Sequence, residues 1–287
     1  MKNKVVVLGS VGMAGHIMVE YLRATGAYDV VGIARQASKW ADKVLDVTDF
    51  SALETFLEAE RPKYVINCVG ALVAHAQKHT ASAILLNSYL PHFLSEIGAR
   101  LNFKLVHIST DCVFSGKKGQ YVESSFRDGD DYYARSKSLG EVINNKDLTI
   151  RTSIIGPELK LNGTGLLDWF LKQGSEVSGY TKAFWSGVTT LELAKATEAM
   201  MSQNITGLFH LCPTGKISKF ELLKLFAEVW EKAVLVKPFD AYSADKSLLC
   251  TRHDFAYSVP EYEGMLKEMK SWMVKHKSNY TYYNEVR

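Results

Sequence analysis

The sequence predicts an α/β protein: a Rossmann-like, doubly wound parallel sheet with a smaller C-terminal substrate lobe interleaved with it. Three observations predict this. A short β-branched run, Lys4 to Leu8, stops at a glycine turn and leads into a stretch with helical spacing. The same strand-then-helix alternation continues to about residue 156. Hydroxyl-bearing and small residues gather at the C-terminal ends of the predicted strands, where open parallel sheets hold their ligands.

Taken in order, Lys4 to Leu8 is apolar throughout, as a strand buried on both faces must be. Gly9, Gly12 and Gly15 follow as G-x-x-G-x-x-G, and then HIMVEYLRATG, a helix closed by Gly26. Glycines at that spacing allow a tight turn, close approach of backbone to a pyrophosphate, and close packing of helix on strand; the helix N-terminus adds amides and partial positive charge. The spacing differs from the G-x-G-x-x-G of ordinary dehydrogenases, and a purely structural turn has the same appearance. The next strand, Asp29 to Ala34, ends at Arg35, where a site for NAD ordinarily carries a carboxylate for the ribose 2′-hydroxyl. A guanidinium there suits a 2′-phosphate, so NADPH is expected ahead of NADH, with Lys39 placed to assist. A short strand at Val44-Leu45 leads to Asp46-Val47. The Asp46 carboxylate either accepts from an adenine amino group or caps the helix expected from Asp49 to Glu60, a task open equally to Thr48 and Asp49.

Tyr64 to Asn67 is the fourth strand and runs into Cys68, Val69 and Gly70, small residues that let a cofactor lie close. A long helix is expected from Thr80 to Arg100, with Pro91 bending it or opening a second segment, and with Asn87 inside it as a buried tie between loops or a direct participant. His75 and His79 are one helical turn apart but lack a third ligand, so no metal site is read. Phe103 to Ile108, the fifth strand, delivers Ser109, Thr110 and Asp111 to its C-terminal end, on the face of the glycine turn. After a polar loop, Gly116 to Asp131, a helix opens with Tyr133 and Lys137 four residues apart in YARSK, projecting from one face. An ammonium beside a phenol lowers the tyrosine pKa, and a nearby hydroxyl polarises a carbonyl oxygen, which together make a proton-transfer device. By itself a Y-x-x-x-K pair is ordinary surface chemistry; its weight comes from the glycine turn and Thr110 on the same sheet face.

Leu148 to Thr152 is the sixth strand. Beyond Pro157 the alternation becomes less regular: LLDWFLKQG, then Val177 to Trp185, a helix from Leu191 to Met201, a strand Gly207 to Leu211, a serine-capped helix Ser218 to Lys232, a short strand Ala233 to Val236, and a helix Glu261 to Met273. The reading divides the chain into a dinucleotide-binding domain, 1–156 plus about 186–212, and a substrate-binding lobe, about 157–185 and 213–287. The tail NYTYYNEVR is expected to fray or to pack on a partner.

Composition sets the outer bounds. The 287 residues are 47% hydrophobic and 23% charged, as in a soluble globular protein. The net charge is +3 with dispersed lysines and arginines, which argues against a nucleic-acid groove or a membrane-binding stripe and leaves small anionic ligands open. Cys68, Cys112, Cys212 and Cys250 lack any C-x-x-C spacing and are read as reduced, mostly buried thiols. With no apolar stretch of signal-peptide or membrane-span length, a cytoplasmic location is expected.

The glycine turn, ISTDCVF with Thr110, and YARSK with Tyr133 and Lys137 resemble the extended short-chain dehydrogenase/reductase family. More narrowly, LVHISTDCVFSGKKGQYVE, YYARSKSLGE and RTSIIG resemble its dTDP-4-dehydrorhamnose reductase branch, strongly over residues 4–156 and more thinly afterwards. The resemblance implies reduction by NAD(P)H of a nucleotide-linked 4-keto-6-deoxysugar in surface polysaccharide synthesis. It implies Tyr133 as the general acid at the developing 4-alkoxide, Lys137 as the group that lowers its pKa and binds the nicotinamide ribose, and Thr110 as hydrogen-bond donor to the keto oxygen. Gly12, Met13 and Ala14 match the family's pyrophosphate turn, Asp46 and Val47 its adenine contact, and Cys68, Val69 and Gly70 its nicotinamide-side strand end.

Three departures lie on the sugar side. Cys112 stands where the rhamnose enzymes have tyrosine, Ile154 where they usually have tryptophan, and Phe184-Trp-Ser-Gly-Val-Thr-Thr190 where they carry D-Q-x-x-x-P-T. A related sugar nucleotide is therefore expected, with Thr110, Asp111, Cys112, Tyr133 and Trp185 as the substrate-side candidates. Trp185 either stacks on sugar or base or fills the core. Arg151 and Arg252 are candidates for a substrate diphosphate, or else ion-paired structural residues. Two other readings compete: a nucleotide-sugar epimerase or dehydratase that recycles its cofactor, and a non-catalytic NADP-binding regulatory subunit, against which the intact Thr110, Tyr133 and Lys137 set speaks. Apart from the small-molecule substrate, the one partner foreseen is a second copy of the chain in a homodimer.

Overall fold

The first strand, β1 (Asn3–Leu8), owes its central place to its side chains: Val5 and Val7 enter the core on one face, Val6 and Leu8 on the other. The structure, a computed structural model, describes residues 2–283. After β1 come α1 (Met13–Thr25), β2 (Tyr28–Ala34), β3 (Lys43–Val44), α2 (Phe50–Glu60), β4 (Tyr64–Asn67), α3 (Val73–Lys78), α4 (Thr80–Ala83), α5 (Leu90–Leu101), β5 (Lys104–Thr110), α6 (Tyr132–Leu139) and β6 (Leu148–Thr152). The second half holds β7 (Ile154–Ile155), α7 (Leu166–Leu171), β8 (Glu176–Trp185), β9 (Val188–Thr189), α8 (Thr190–Ser202), β10 (Gly207–His210), β11 (Ile217–Ser218), α9 (Lys219–Val229), β12 (Leu235–Asp245) and α10 (Tyr262–Lys275).

Seven strands form one all-parallel sheet in the order β10-β6-β5-β4-β1-β2-β3. The chain winds outward in both directions from the β1/β4 boundary, which leaves a crevice at the C-terminal strand ends there. One apolar cluster, under α2 and α5, includes Val6, Leu8, Leu53, Leu57 and Leu94. A larger one lies under α1 and α8 and continues without a break into α9, α10, Tyr280 and Tyr283. A smaller sheet, β11-β8-β12, lies in the second half. Among the described residues no helix is long and apolar enough to cross a membrane.

Local signals fixed most boundaries. Gly26 closes α1 in the left-handed conformation, Asp49 caps α2 by accepting from the Ala52 amide, and Ser218 caps α9. Four elements depart from expectation. The helix expected from Thr80 to Arg100 is broken into α4, a π-helical turn (Ile84–Tyr89) and α5, and α3 precedes it unannounced. Pro91 has no N–H to return to the Asn87 carbonyl, and the wider turn absorbs that mismatch. Gly140 packs against the same carbonyl so closely that a Cβ there would stand 1.8 Å from its oxygen. The strand expected to stop at Val236 runs on to Asp245 because it pairs with β8 along most of its length, from Leu235↔Glu176 to Asp245↔Phe184. Pro238 is tolerated because β12 is an edge strand. The tail is neither frayed nor partner-bound over its described part, since Tyr280 and Tyr283 are buried in the protein's own core; residues 284–287 lie outside the described residues.

Candidate active site

The glycine turn sits at the sheet's switch point. Gly9 has φ +77°, and a Cβ on it would press Val69 Cγ2 at 3.1 Å and the Cys68 carbonyl carbon at 3.2 Å. A Cβ on Gly15 would stand 2.1 Å from the Gly9 oxygen, so both positions require glycine. Gly12 caps α1 without any side-chain acceptor for the first amides, which leaves those of Met13 and Ala14 directed out of the helix end. Directly opposite, Cys68, Val69 and Gly70 leave β4, held by the Asn67 Oδ1 bond to the Val69 amide at 3.0 Å.

Thr110 ends β5, and its hydroxyl accepts from the Cys112 amide at 3.1 Å and donates to Asp111 Oδ1 at 3.2 Å. Ser109, one residue earlier in the strand, points the other way and donates to Glu141 Oε1 at 2.7 Å. Of the two hydroxyls only that of Thr110 serves the crevice. Asp131 caps α6 through the Ala134 amide at 2.7 Å, which presents Tyr133 and Lys137 toward the β5 end. Lys137 is 4% exposed; its Nζ donates to the Ile108 carbonyl at 2.7 Å and lies 3.4 Å from His107 Nε2. Burial pushes the Lys137 ammonium down to about 8, against the opposing pull of Glu141 and Cys68.

Here the structure corrects the sequence reading. The Tyr133 phenol is raised above its ordinary value, by burial first and by Cys112 second, with the bond to the Thr110 hydroxyl opposing the rise. Lys137 spends its ammonium on Ile108 and His107, so the expected depression of the phenol does not appear.

Asn87 is the tie between loops. It receives the Ala71 amide at 2.8 Å and donates to the Ala71 carbonyl at 3.0 Å and to Ser136 Oγ at 3.0 Å, binding the β4 strand end to α6. On the adenine side, Arg35 is exposed at the end of β2 and helps draw the Asp46 carboxyl below its usual range, after the larger effect of the Thr48 backbone amide. Asp46 caps only its own turn, through Thr48, while Asp49 caps α2. Val47 is buried beneath it. Lys39 reaches Asn279 and lies over the Trp40 ring, 4.6 Å from its centroid.

The diphosphate candidates fail on geometry. Arg151 is 1% exposed and forms a two-pronged pair with Glu141 at 2.8 and 2.6 Å, with His210 Nε2 2.7 Å away. Arg252 is tied to Asp254 and to the Thr206 and Leu208 carbonyls. Trp185 is 3% exposed and belongs to the core beside Tyr262, so it offers no open stacking face. All four cysteines are free and half-buried, less enclosed than expected; burial pushes the Cys68 and Cys112 thiols up to about 12. The sequence reading missed the buried Glu141, although a carboxylate one turn after Lys137 and beside an apolar run was a signal. It also missed Lys219 and Lys246, whose charges oppose the burial-driven rise of the Asp111 carboxyl.

A family model described as the RmlD substrate binding domain matches residues 3–262. A dTDP-4-keto-6-deoxy-D-glucose reductase of Streptomyces niveus is 26% identical over 233 residues, 78% of this chain and 78% of that one. Among solved structures, a hypothetical dTDP-4-dehydrorhamnose reductase from Sulfolobus tokodaii matches with a TM-score of 0.78 at 26% identity, covering 92% of this chain and 99% of that one. A dTDP-4-dehydrorhamnose reductase from Bacillus anthracis, solved in complex with NADP, gives 0.81 at 24% identity, covering 94% of this chain and 99% of that one.

Proposed function

The chain belongs to the RmlD substrate binding domain family, and from that membership we propose that it reduces the 4-keto group of a nucleotide-linked 6-deoxysugar with NADPH, in the supply of deoxysugars for polysaccharide. The observation that carries this reading is the convergence of Thr110, Tyr133 and Lys137 at the C-terminal end of β5, on the crevice face of the glycine turn.

The residues present fit a dinucleotide. Gly9 and Gly15 let the turn pack closely on the β4 end and on itself, and the uncapped α1 amides suit a pyrophosphate. Arg35 would hold a 2′-phosphate, Asp46 and Val47 the adenine, and Cys68, Val69 and Gly70 the nicotinamide end. When bound, the cofactor supplies the hydride. Thr110 would turn its hydroxyl from Asp111 to the keto oxygen and fix the carbonyl in place. Tyr133 keeps its proton through the physiological range because its phenol is raised, which is the state an acid needs before it protonates the alkoxide oxygen. Lys137, its Nζ anchored on the Ile108 carbonyl, would bind the nicotinamide ribose, and Asn87 keeps the β4 end and α6 in register.

The test is NADPH consumption with dTDP- and UDP-linked 4-keto-6-deoxysugars. Stoichiometric oxidation is expected, and Tyr133→Phe should abolish it while NADPH affinity stays within a few-fold of wild type. Activity retained in that variant would overturn the reading, and a change of sugar configuration without net NADPH use would replace it with an epimerase.

A further inference from the structure

Cations around the small sheet have anions. Lys216 pairs with Asp245 at 2.5 Å, Lys237 with Glu176 at 2.7 Å, Lys224 with Glu221 at 3.2 Å and Lys182 with Asp240 at 3.9 Å. Two lysines of the same region do not. Among the described residues Lys219 and Lys246 have neither a hydrogen-bond acceptor nor a carboxylate within ion-pair distance.

Strand register sets the two on either side of the end of β8. β11 pairs antiparallel with the end of β8 through Ile217↔Trp185 and Ser218↔Phe184, and β12 pairs with it from the other side through Asp245↔Phe184. Lys219 follows β11 and Lys246 follows β12, so they leave the two neighbours of β8 on opposite sides of Phe184. The Lys219 Nζ itself lies over the Trp185 ring, 5.1 Å from its centroid, and burial lowers its pKa to about 8, with Asp111 and Cys112 opposing. The Lys246 stem lies on Gly116, where a Cβ would meet its Cγ at 3.0 Å, and the adjacent Asp245 amide donates to the Gly116 carbonyl at 2.7 Å. Gly116 belongs to the segment that leaves β5 just after Asp111, Cys112 and Val113.

Both lysine charges act on Asp111 and Cys112, and Lys246 also feels Asp131. Asp111 is 6% exposed and bonded to Thr110, so a single enclosed carboxyl faces two ammonium groups. Two cations that share one carboxyl beside Thr110, with no ion pair of their own, leave positive charge unmatched there. Ammonium groups on flexible stems suit phosphate and carboxylate oxygens alike.

We propose that Lys219 and Lys246 form the seat of an anionic group of the substrate, next to Cys112. The assignment rests on the reading that a nucleotide-linked sugar binds at this crevice. The anion is either the diphosphate that joins sugar to nucleoside or a carboxylate carried by the sugar itself.

The full-length protein saturated with NADP⁺ is titrated calorimetrically with UDP, dTDP, uridine, thymidine and D-glucuronate. Lys219→Met and Lys246→Met are each expected to weaken the nucleoside diphosphates about tenfold while nucleosides and NADP⁺ stay within about twofold, with Lys246→Arg recovering most of the loss. Weakening confined to glucuronate supports the pair and identifies the sugar as the source of the anion. The pair is overturned if the double variant binds all three anions within about twofold of wild type, or if the wild type binds none of them. Lys246→Met leaves the Trp185 face untouched, so its thermal midpoint separates a lost anion contact from lost packing. No step needs turnover; the reductase reading stands or falls separately, on keto-sugar reduction by the wild type.

Discussion

Lys137 serves two opposed ends. Its ammonium is buried among Ile108, His107, Cys68 and Glu141, and its folded pKa of about 8 lies below the roughly 10.4 of an unfolded lysine. Between those values the unfolded chain binds more protons, so stability rises as pH climbs through that window, and below about 8 the burial penalty is fully in force. Lys137→Met should therefore make the ligand-free protein more stable at neutral pH, on the order of 1 kcal/mol by urea unfolding, while turnover falls at least about a hundredfold. A variant that is both inactive and less stable would assign Lys137 to packing. Glu141 behaves oppositely: it is fully enclosed, bound by Arg151, Arg127 and Ser109, and its carboxyl is held below the usual range by the hydrogen bonds and charge of Arg151, which outweigh burial. Glu141→Gln leaves the Arg151 guanidinium buried without a counter-charge, and about 3–5 kcal/mol of stability should be lost in denaturant titration. At the exposed end of β2, Arg35→Ala should weaken NADPH roughly tenfold and NADH hardly at all, as read from the two dissociation constants.

At the scale of elements, the C-terminal segment holds the glycine turn. The neutral His16 imidazole has one donor and one acceptor, so Nδ1–H donates to the Gly12 carbonyl at 2.8 Å and Nε2 accepts from the Tyr280 hydroxyl at 2.9 Å. Burial holds His16 down at about 4, so this arrangement persists across physiological pH. Asn279 adds bonds to Lys39 and Glu20, and Trp40 meets the His16 ring edge-on at 5.7 Å. Tyr280→Phe deletes one hydroxyl and orphans Nε2 behind Gly12. NADPH affinity should fall several-fold, alongside a stability loss of about 1 kcal/mol. A stability loss with unchanged affinity would reduce Tyr280 to a packing residue.

For the whole molecule, what was legible in the sequence was what is encoded locally. β-branched runs, the caps Asp49 and Ser218, the terminal Gly26 and the glycine spacing each depend on neighbours a few residues away, and each located an element. Thr110 and Tyr133 could be placed on one crevice because parallel strands end on one side of the sheet. The partners of Arg151, the burial of Trp185 and the bond from His16 to Tyr280 are set by packing between distant segments, and no local pattern announces them. Long-range packing also runs across the boundary expected between two domains. Val106, Leu148 and Ile150 of the large sheet share one cluster with Met200, Phe209, Phe226 and Tyr280, and β10 covers the edge of β6. A chain ending at residue 156 would expose that edge and strip the α8 side from α1. Unfolding of the full chain by urea should therefore be a single transition, coincident by far-ultraviolet circular dichroism and by tryptophan fluorescence, to which Trp169, Trp185, Trp230 and Trp272 of the second half contribute beside Trp40. The fragment 1–156 should show no cooperative transition. Two separated transitions in the full chain, or a cooperatively folding fragment, would mean that the shared core does not couple the halves.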